Sequence, residues 1–130
     1  MMIPYDTSLI PPAPFLSAHV SNLTGSAESP PIPAKVDTGA DVTAIPANLV
    51  NQLNLVLASE IQVEGYNGHR ATLPCYDIVL RVAHLRVVGL SVISFSEDYI
   101  LLGRDVLNLL RLLLDGPALW LEVLSPQSPS

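Results

Sequence analysis

A mainly β domain with one short helix near each end is the fold class this chain predicts. Three observations carry it. Apolar residues alternate with polar ones in short runs of strand length. Clusters of Gly, Pro, Asn and Ser punctuate those runs. Only residues 46–53 and 106–113 carry a helical pattern. With 130 residues, 49% of them hydrophobic and 14% charged, the chain can bury one core and is too short for two ordinary domains.

The elements follow in order. Pro4, Pro11, Pro12 and Pro14 make the opening an extended arm over residues 1–13, ahead of a domain at 14–124 and a disordered tail at 125–130. Residues 15–20 alternate as a strand. Residues 22–33 are rich in Gly, Ser and Pro and read as a long connection to a second strand through Ile32, Ala34 and Val36. A strand at 42–45 precedes the first helix, which has Pro46 at its first position and Leu49, Val50 and Leu53 on its apolar face. Ile61 and Val63, then Ala71 and Leu73, flank residues 65–69, where Asn67-Gly68 is a hairpin turn signal. Strands at 75–82, 85–88 and 90–95 are separated by Ala83-His84 and Gly89. A short buried strand at 100–102 ends at Gly103. Asp105 is placed to cap the second helix, 106–113, which Gly116-Pro117 stops before a last strand at 118–124.

The charge balance narrows the partners. Six Lys and Arg against twelve Asp and Glu give a net charge of −6, and the basic residues are scattered. Neither a nucleic acid nor an anionic membrane surface is expected. Cys75 is the one cysteine, so no intrachain disulfide framework exists, and it reads as a half-buried strand thiol. His19, His69, His84 and Cys75 lack metal-ligand spacing, so neither metal nor cofactor is expected. The first residues lack a basic segment followed by a long apolar one. No apolar run approaches the roughly 20 residues that span a bilayer. The expectation is a soluble cytoplasmic protein, with the start at Met1 pointing to a complete gene product. His69 and His84 read as exposed loop residues, and Trp120 as a core or subunit-interface residue.

The chemistry concentrates in Val36-Asp37-Thr38-Gly39-Ala40-Asp41. An Asp, a hydroxyl residue and a Gly directly after an apolar strand suit a carboxylate carried on a tight turn at the mouth of a sheet. Gly39 permits a left-handed or crowded backbone, and the Thr38 hydroxyl can bond backbone and lock the loop. About 63 residues later comes Ile100-Leu101-Leu102-Gly103-Arg104-Asp105. An apolar strand ending in Gly at that distance, followed by a helix and a terminal strand, resembles a retropepsin. This is the single-domain aspartic protease family of retroviruses and of some cellular and bacterial proteins. The resemblance covers roughly residues 15–124 and is specific at 36–45 and 100–107.

That resemblance implies a closed β-barrel, with a short helix before the C-terminal strand, and an aspartic endopeptidase. Asp37 would be the catalytic carboxylate. Thr38 would brace the loop against its symmetry mate, and Gly39, Ala40 and Asp41 would line substrate backbone. Residues 65–70, with Tyr66, Asn67 and Gly68 at the tip, would be a flap over the substrate. Arg104 would pair with Asp41, a bidentate geometry that suits bracing. No second Asp-Thr/Ser-Gly occurs. In this enzyme class, peptide hydrolysis takes one carboxylate as base and one carboxylic acid, and the two share a proton. A chain with one such Asp therefore needs a homodimer with the site on its two-fold axis. The resemblance implies that terminal strands of both subunits interleave, with 119–123 available here. Two other readings stand beside it: a dimeric peptide-binding module with the same fold and negligible activity, and an unrelated β-barrel interaction module in which Asp37 is only a turn residue.

Overall fold

In the computed structural model, described for residues 1–65 and 67–126, period-two burial sets the architecture. Leu16, Ala18 and Val20 point inward from β2 (Phe15–Ser21). Ile32, Ala34 and Val36 do the same from β3 (Ile32–Val36), which pairs with β2 in antiparallel fashion. Preceding them is β1 (Met2–Pro4). After them come β4 (Ala44–Pro46), α1 (Asn48–Gln52), β5 (Leu57–Glu64), β6 (Arg70–Val82), β7 (Leu85–Phe95), β8 (Ile100–Leu102), α2 (Arg104–Leu107), β9 (Leu112–Asp115) and β10 (Trp120–Val123).

Seven strands form one sheet in the order β2-β3-β8-β4-β7-β6-β5, and β2 also pairs with β6. That extra pairing, Ala18 to Ser21 against Val82 to Val79, joins the sheet back on itself. Six strands thus make a closed ring, and β5 hangs outside on β6. The ring wraps a core of Ile45, Ile78, Leu80, Val82, Val92, Ile100, Leu102, Val106 and Leu121, all at 1% exposure or less. Each such side chain contributes about 1.5–3 kcal/mol of burial.

β7 runs unbroken through Gly89, where two strands were expected. Ile78 pairs with Leu90 and Val79 with Val88. Gly89 is therefore one extra residue, a bulge held at φ +75°, a conformation glycine takes at little cost. Pro46 belongs to β4 rather than to the helix, which starts two residues later.

The larger correction concerns 106–113. The second helix covers only Arg104–Leu107. Leu109 N–H and Leu110 N–H close three-residue turns onto the Val106 and Leu107 carbonyls, and Leu112 and Leu113 then lie in β9. Their apolar character is equally compatible with a strand, and the hairpin with β10 decides it. The opening arm is corrected as well, because residues 2–4 pair with β10. β10 therefore sits between β1 and β9, with both edges filled by its own chain. Within one chain, 120–123 therefore offers no free edge.

Among the described residues, no helix is long and apolar enough to cross a membrane.

Candidate active site

β3 and β8 run parallel, Val36 beside Leu102, and both deliver their C-terminal ends to one place. Asp37 follows β3 and its N–H donates to the Leu102 carbonyl at 3.1 Å. The chain then turns sharply. Ala40 N–H donates to the Asp37 carbonyl at 3.3 Å, and Gly39 N–H donates to Asp37 Oδ1 at 2.9 Å. A Cβ on Gly39 would stand 3.2 Å from Asp37 Oδ1, close enough to press on that carboxylate, and the backbone here is not left-handed. The result is a half-buried carboxylate with one oxygen fixed by backbone and the other directed away from that bond.

Arg104 braces the loop. Its N–H donates to the Ala40 carbonyl at 2.9 Å, its guanidinium donates to the Thr38 carbonyl at 2.8 Å, and it pairs with the Asp41 carboxylate. The expected Arg104–Asp41 pair is thus present, and one guanidinium ties both ends of the turn. Both side chains are substantially exposed, so the pair's value is mainly geometric. Thr38 is exposed, and its carbonyl makes the bracing contact.

Sequence reasoning missed a second brace beneath the first. Asp105 does not cap α2. Its carboxylate instead accepts from Thr43 N–H at 3.0 Å and from the Thr43 hydroxyl at 2.7 Å. That hydroxyl accepts in turn from Gly103 N–H at 3.1 Å. Thr43 is fully buried, and its polar groups are satisfied inside this network. The carboxylate of Asp105 thereby locks the strand after the Asp37 loop to the β8–α2 junction.

In front of the loop lies a cleft of about 880 Å³. Gly39, Ala40 and Asp41 form part of its floor, Ile93, Phe95 and Leu101 supply apolar wall, and residues 61–65 of β5 and the turn after it cover the far side. Asn67 and Gly68 stand past the covering strand at the hairpin tip, where Gly65 N–H donates to the His69 carbonyl and Gly68 has φ +80°. Tyr66 lies outside the described residues. An aromatic group also escaped notice in the sequence: Tyr99 packs edge-on against both Phe15 and Phe95, with ring centroids 5.8 and 5.6 Å apart. Burial raises the Tyr99 phenol above its ordinary pKa, and the Glu97, Asp98 and Asp37 carboxylates add to that. Tyr99 therefore stays a neutral donor whose charge environment includes Asp37.

The remaining titratable candidates stand apart. Cys75 is buried in β6, deeper than expected, while His69 and His84 are exposed in turns. Among the described residues, no group of three or more His, Cys, Asp or Glu could hold a metal ion.

The comparisons agree with this geometry. Residues 23–109 match the family model described as "gag-polyprotein putative aspartyl protease". No curated protein matches the chain. Among solved structures, a retropepsin-like aspartic protease from Rickettsia conorii superposes with a TM-score of 0.60 at 16% identity, over 93% of this chain and 87% of that one. The EIAV protease bound to the inhibitor HBY-793 gives 0.52 at 17% identity, over 74% and 86%. A foamy viral protease–reverse transcriptase in complex with an RNA/DNA hybrid gives 0.55 at 16% identity, over 75% of this chain but 12% of that chain. At such identities the likeness is one of fold.

Proposed function

The chain belongs to the gag-polyprotein aspartyl protease family, and on that premise we propose that it is an aspartic endopeptidase acting as a homodimer. The carrying observation is the Asp37 carboxylate, held by Gly39 N–H on a doubly braced loop whose next residues, Gly39, Ala40 and Asp41, line a cleft. Asp37 of each subunit meets on the two-fold axis. One carboxylate takes a proton from the water that attacks the scissile carbon while the other gives its proton to the carbonyl oxygen. The tetrahedral adduct then collapses to acid and amine as the first carboxyl group passes its proton to the leaving nitrogen and the second recovers one from the diol. The chemistry needs neither an acyl-enzyme nor a metal.

The substrate is an extended polypeptide. Gly39, Ala40 and Asp41 offer backbone groups to it, and Ile61, Val63, Ile93, Phe95 and Leu101 offer apolar surface. Hydrophobic residues on both sides of the cut are the preference that fits. Cleavage of a peptide library across pH, with and without a transition-state peptide inhibitor of aspartic proteases, tests the reading. Cleavage should be blocked by the inhibitor and indifferent to EDTA. Inhibition by EDTA, or by a thiol reagent, would point to other chemistry.

The β5–β6 hairpin closes over the substrate in this proposal, with Asn67 and Gly68 at its tip. Among the described residues a Cβ at position 68 meets nothing within 4 Å, but Gly68→Val places a β-branched residue at φ +80°, where such side chains are strained. We expect kcat/KM at least about tenfold lower with dimer stability little changed. Wild-type kinetics in this variant would mean that the hairpin is not the flap.

A further inference from the structure

We propose that two copies of this chain join edge to edge along β9, with Arg111 of each facing Asp115 of the other across the two-fold axis. The inference rests on the dimeric reading above and specifies where and in what register the dimer forms.

The backbone accounting comes first. Leu124 N–H donates to the Arg111 carbonyl, and residues 112–115 pair with 123–120. Antiparallel alternation then turns the peptide groups of Leu112 and Leu114 away from β10, toward the open side of β9. On the opposite edge of this small sheet, Tyr5 N–H donates to Leu119 and Val123 N–H to Met1, so Met2 and Pro4 face outward. Pro4 has no N–H to offer, a common guard on an edge strand. β9 has no such guard. It is three leucines in a row, with Leu113 and Leu114 44% and 47% exposed. An unguarded apolar edge invites a strand, and a chain with half of a two-carboxylate site supplies a second copy of itself.

Charge selects the register. With Leu113 on the two-fold axis, Leu112 of one copy exchanges backbone bonds with the partner's Leu114, which satisfies all the outward groups of both. The same register sets Arg111 opposite the partner's Asp115, twice, on the face shared with Leu113. Arg111 is exposed and takes part in no ion pair among the described residues. Asp115 Oδ1 accepts from Ala118 N–H, which leaves Oδ2 for the guanidinium. Sliding by one bonded pair in either direction keeps the leucines together but separates these charges.

Sedimentation equilibrium on the whole chain tests this, with peptide cleavage measured alongside. Arg111→Asp puts two like-charge pairs on the seam and should weaken the dimer at least about tenfold. Arg111→Asp/Asp115→Arg restores opposite charges and should recover most of that loss. Because the double variant also gives up the bond to Ala118, Leu114→Pro serves as a separate arm. It removes one outward N–H, leaves the β10 ladder intact, and should weaken the dimer about tenfold with an unchanged circular dichroism spectrum. Dimerisation of Arg111→Asp and Leu114→Pro at wild-type affinity would overturn the seam, as would a wild type that stays monomeric at high micromolar concentration. A dimer that responds as expected but cleaves nothing keeps the seam and removes the protease reading. An active dimer indifferent to all three variants does the reverse.

Discussion

Asp37→Asn abolishes peptide cleavage while leaving the fold and the dimer in place. The amide has nearly the shape of the carboxylate, and its Oδ1 can keep the bond from Gly39 N–H that is 2.9 Å long in the wild type. What it cannot do is take a proton from water or share one with a second carboxylate. In a homodimer the substitution enters twice, so both base and acid are lost together. The fall in kcat/KM should be at least about 10³-fold, within what removal of such groups costs. Sedimentation, circular dichroism and the melting transition should match wild type. A variant retaining more than a tenth of wild-type activity would remove Asp37 from the chemistry. This variant also separates the two reasons a chain of this fold could fail to cut. A wild type that binds extended peptides but does not cleave them, and whose binding survives Asp37→Asn, would be a peptide-binding module.

The Asp37 turn was legible because its own sequence signal is contiguous. Strand, carboxylate, small residue and acidic partner occupy Val36 to Asp41, and the turn's own backbone bonds close within four residues. Arg104 was legible only through resemblance, since 63 residues separate it from Asp41. The Thr43–Asp105 lock was not legible at all. An Asp in the first turn of a helix is the local signature of a cap, and nothing in the sequence says that its carboxylate reaches a residue 62 positions earlier. The stretch 109–114 failed for a related reason. Leucines suit a helix or a buried strand equally, and the choice was made by β10, which is not local. Tyr99 went unnoticed because its value lies in Phe15 and Phe95, which are brought to it by the closed ring.

Gly103→Ala should be among the most damaging single-methyl changes in this protein. At φ −86° any residue could adopt the backbone, so conformational freedom is not the issue. The issue is space. A Cβ there would lie 2.7 and 2.8 Å from the Val42 carbonyl carbon and oxygen, and 3.1 Å from the Ala40 oxygen. These are backbone atoms on the far side of the Asp37 turn, and no rotamer change moves them. Relief requires that β8 and α2 back away from residues 40–43. That separation stretches the bonds crossing the gap, Arg104 N–H to Ala40 and Gly103 N–H to the Thr43 hydroxyl. Overpacking of this kind costs about 1–3 kcal/mol, and a weakened buried hydrogen bond adds to it. We expect about 3 kcal/mol by urea unfolding at fixed protein concentration, since a dimer's stability depends on concentration. Cleavage should fall further than the unfolded fraction accounts for, because the displaced atoms carry the loop that aims Asp37. Thr43→Val gives the matching control: it removes the hydroxyl without crowding, and should cost about 2 kcal/mol by stranding Gly103 N–H and one Asp105 oxygen. If Gly103→Ala unfolds at the wild-type urea midpoint, the contact between this glycine and the Asp37 turn is looser than these distances state, and the bracing argument fails with it.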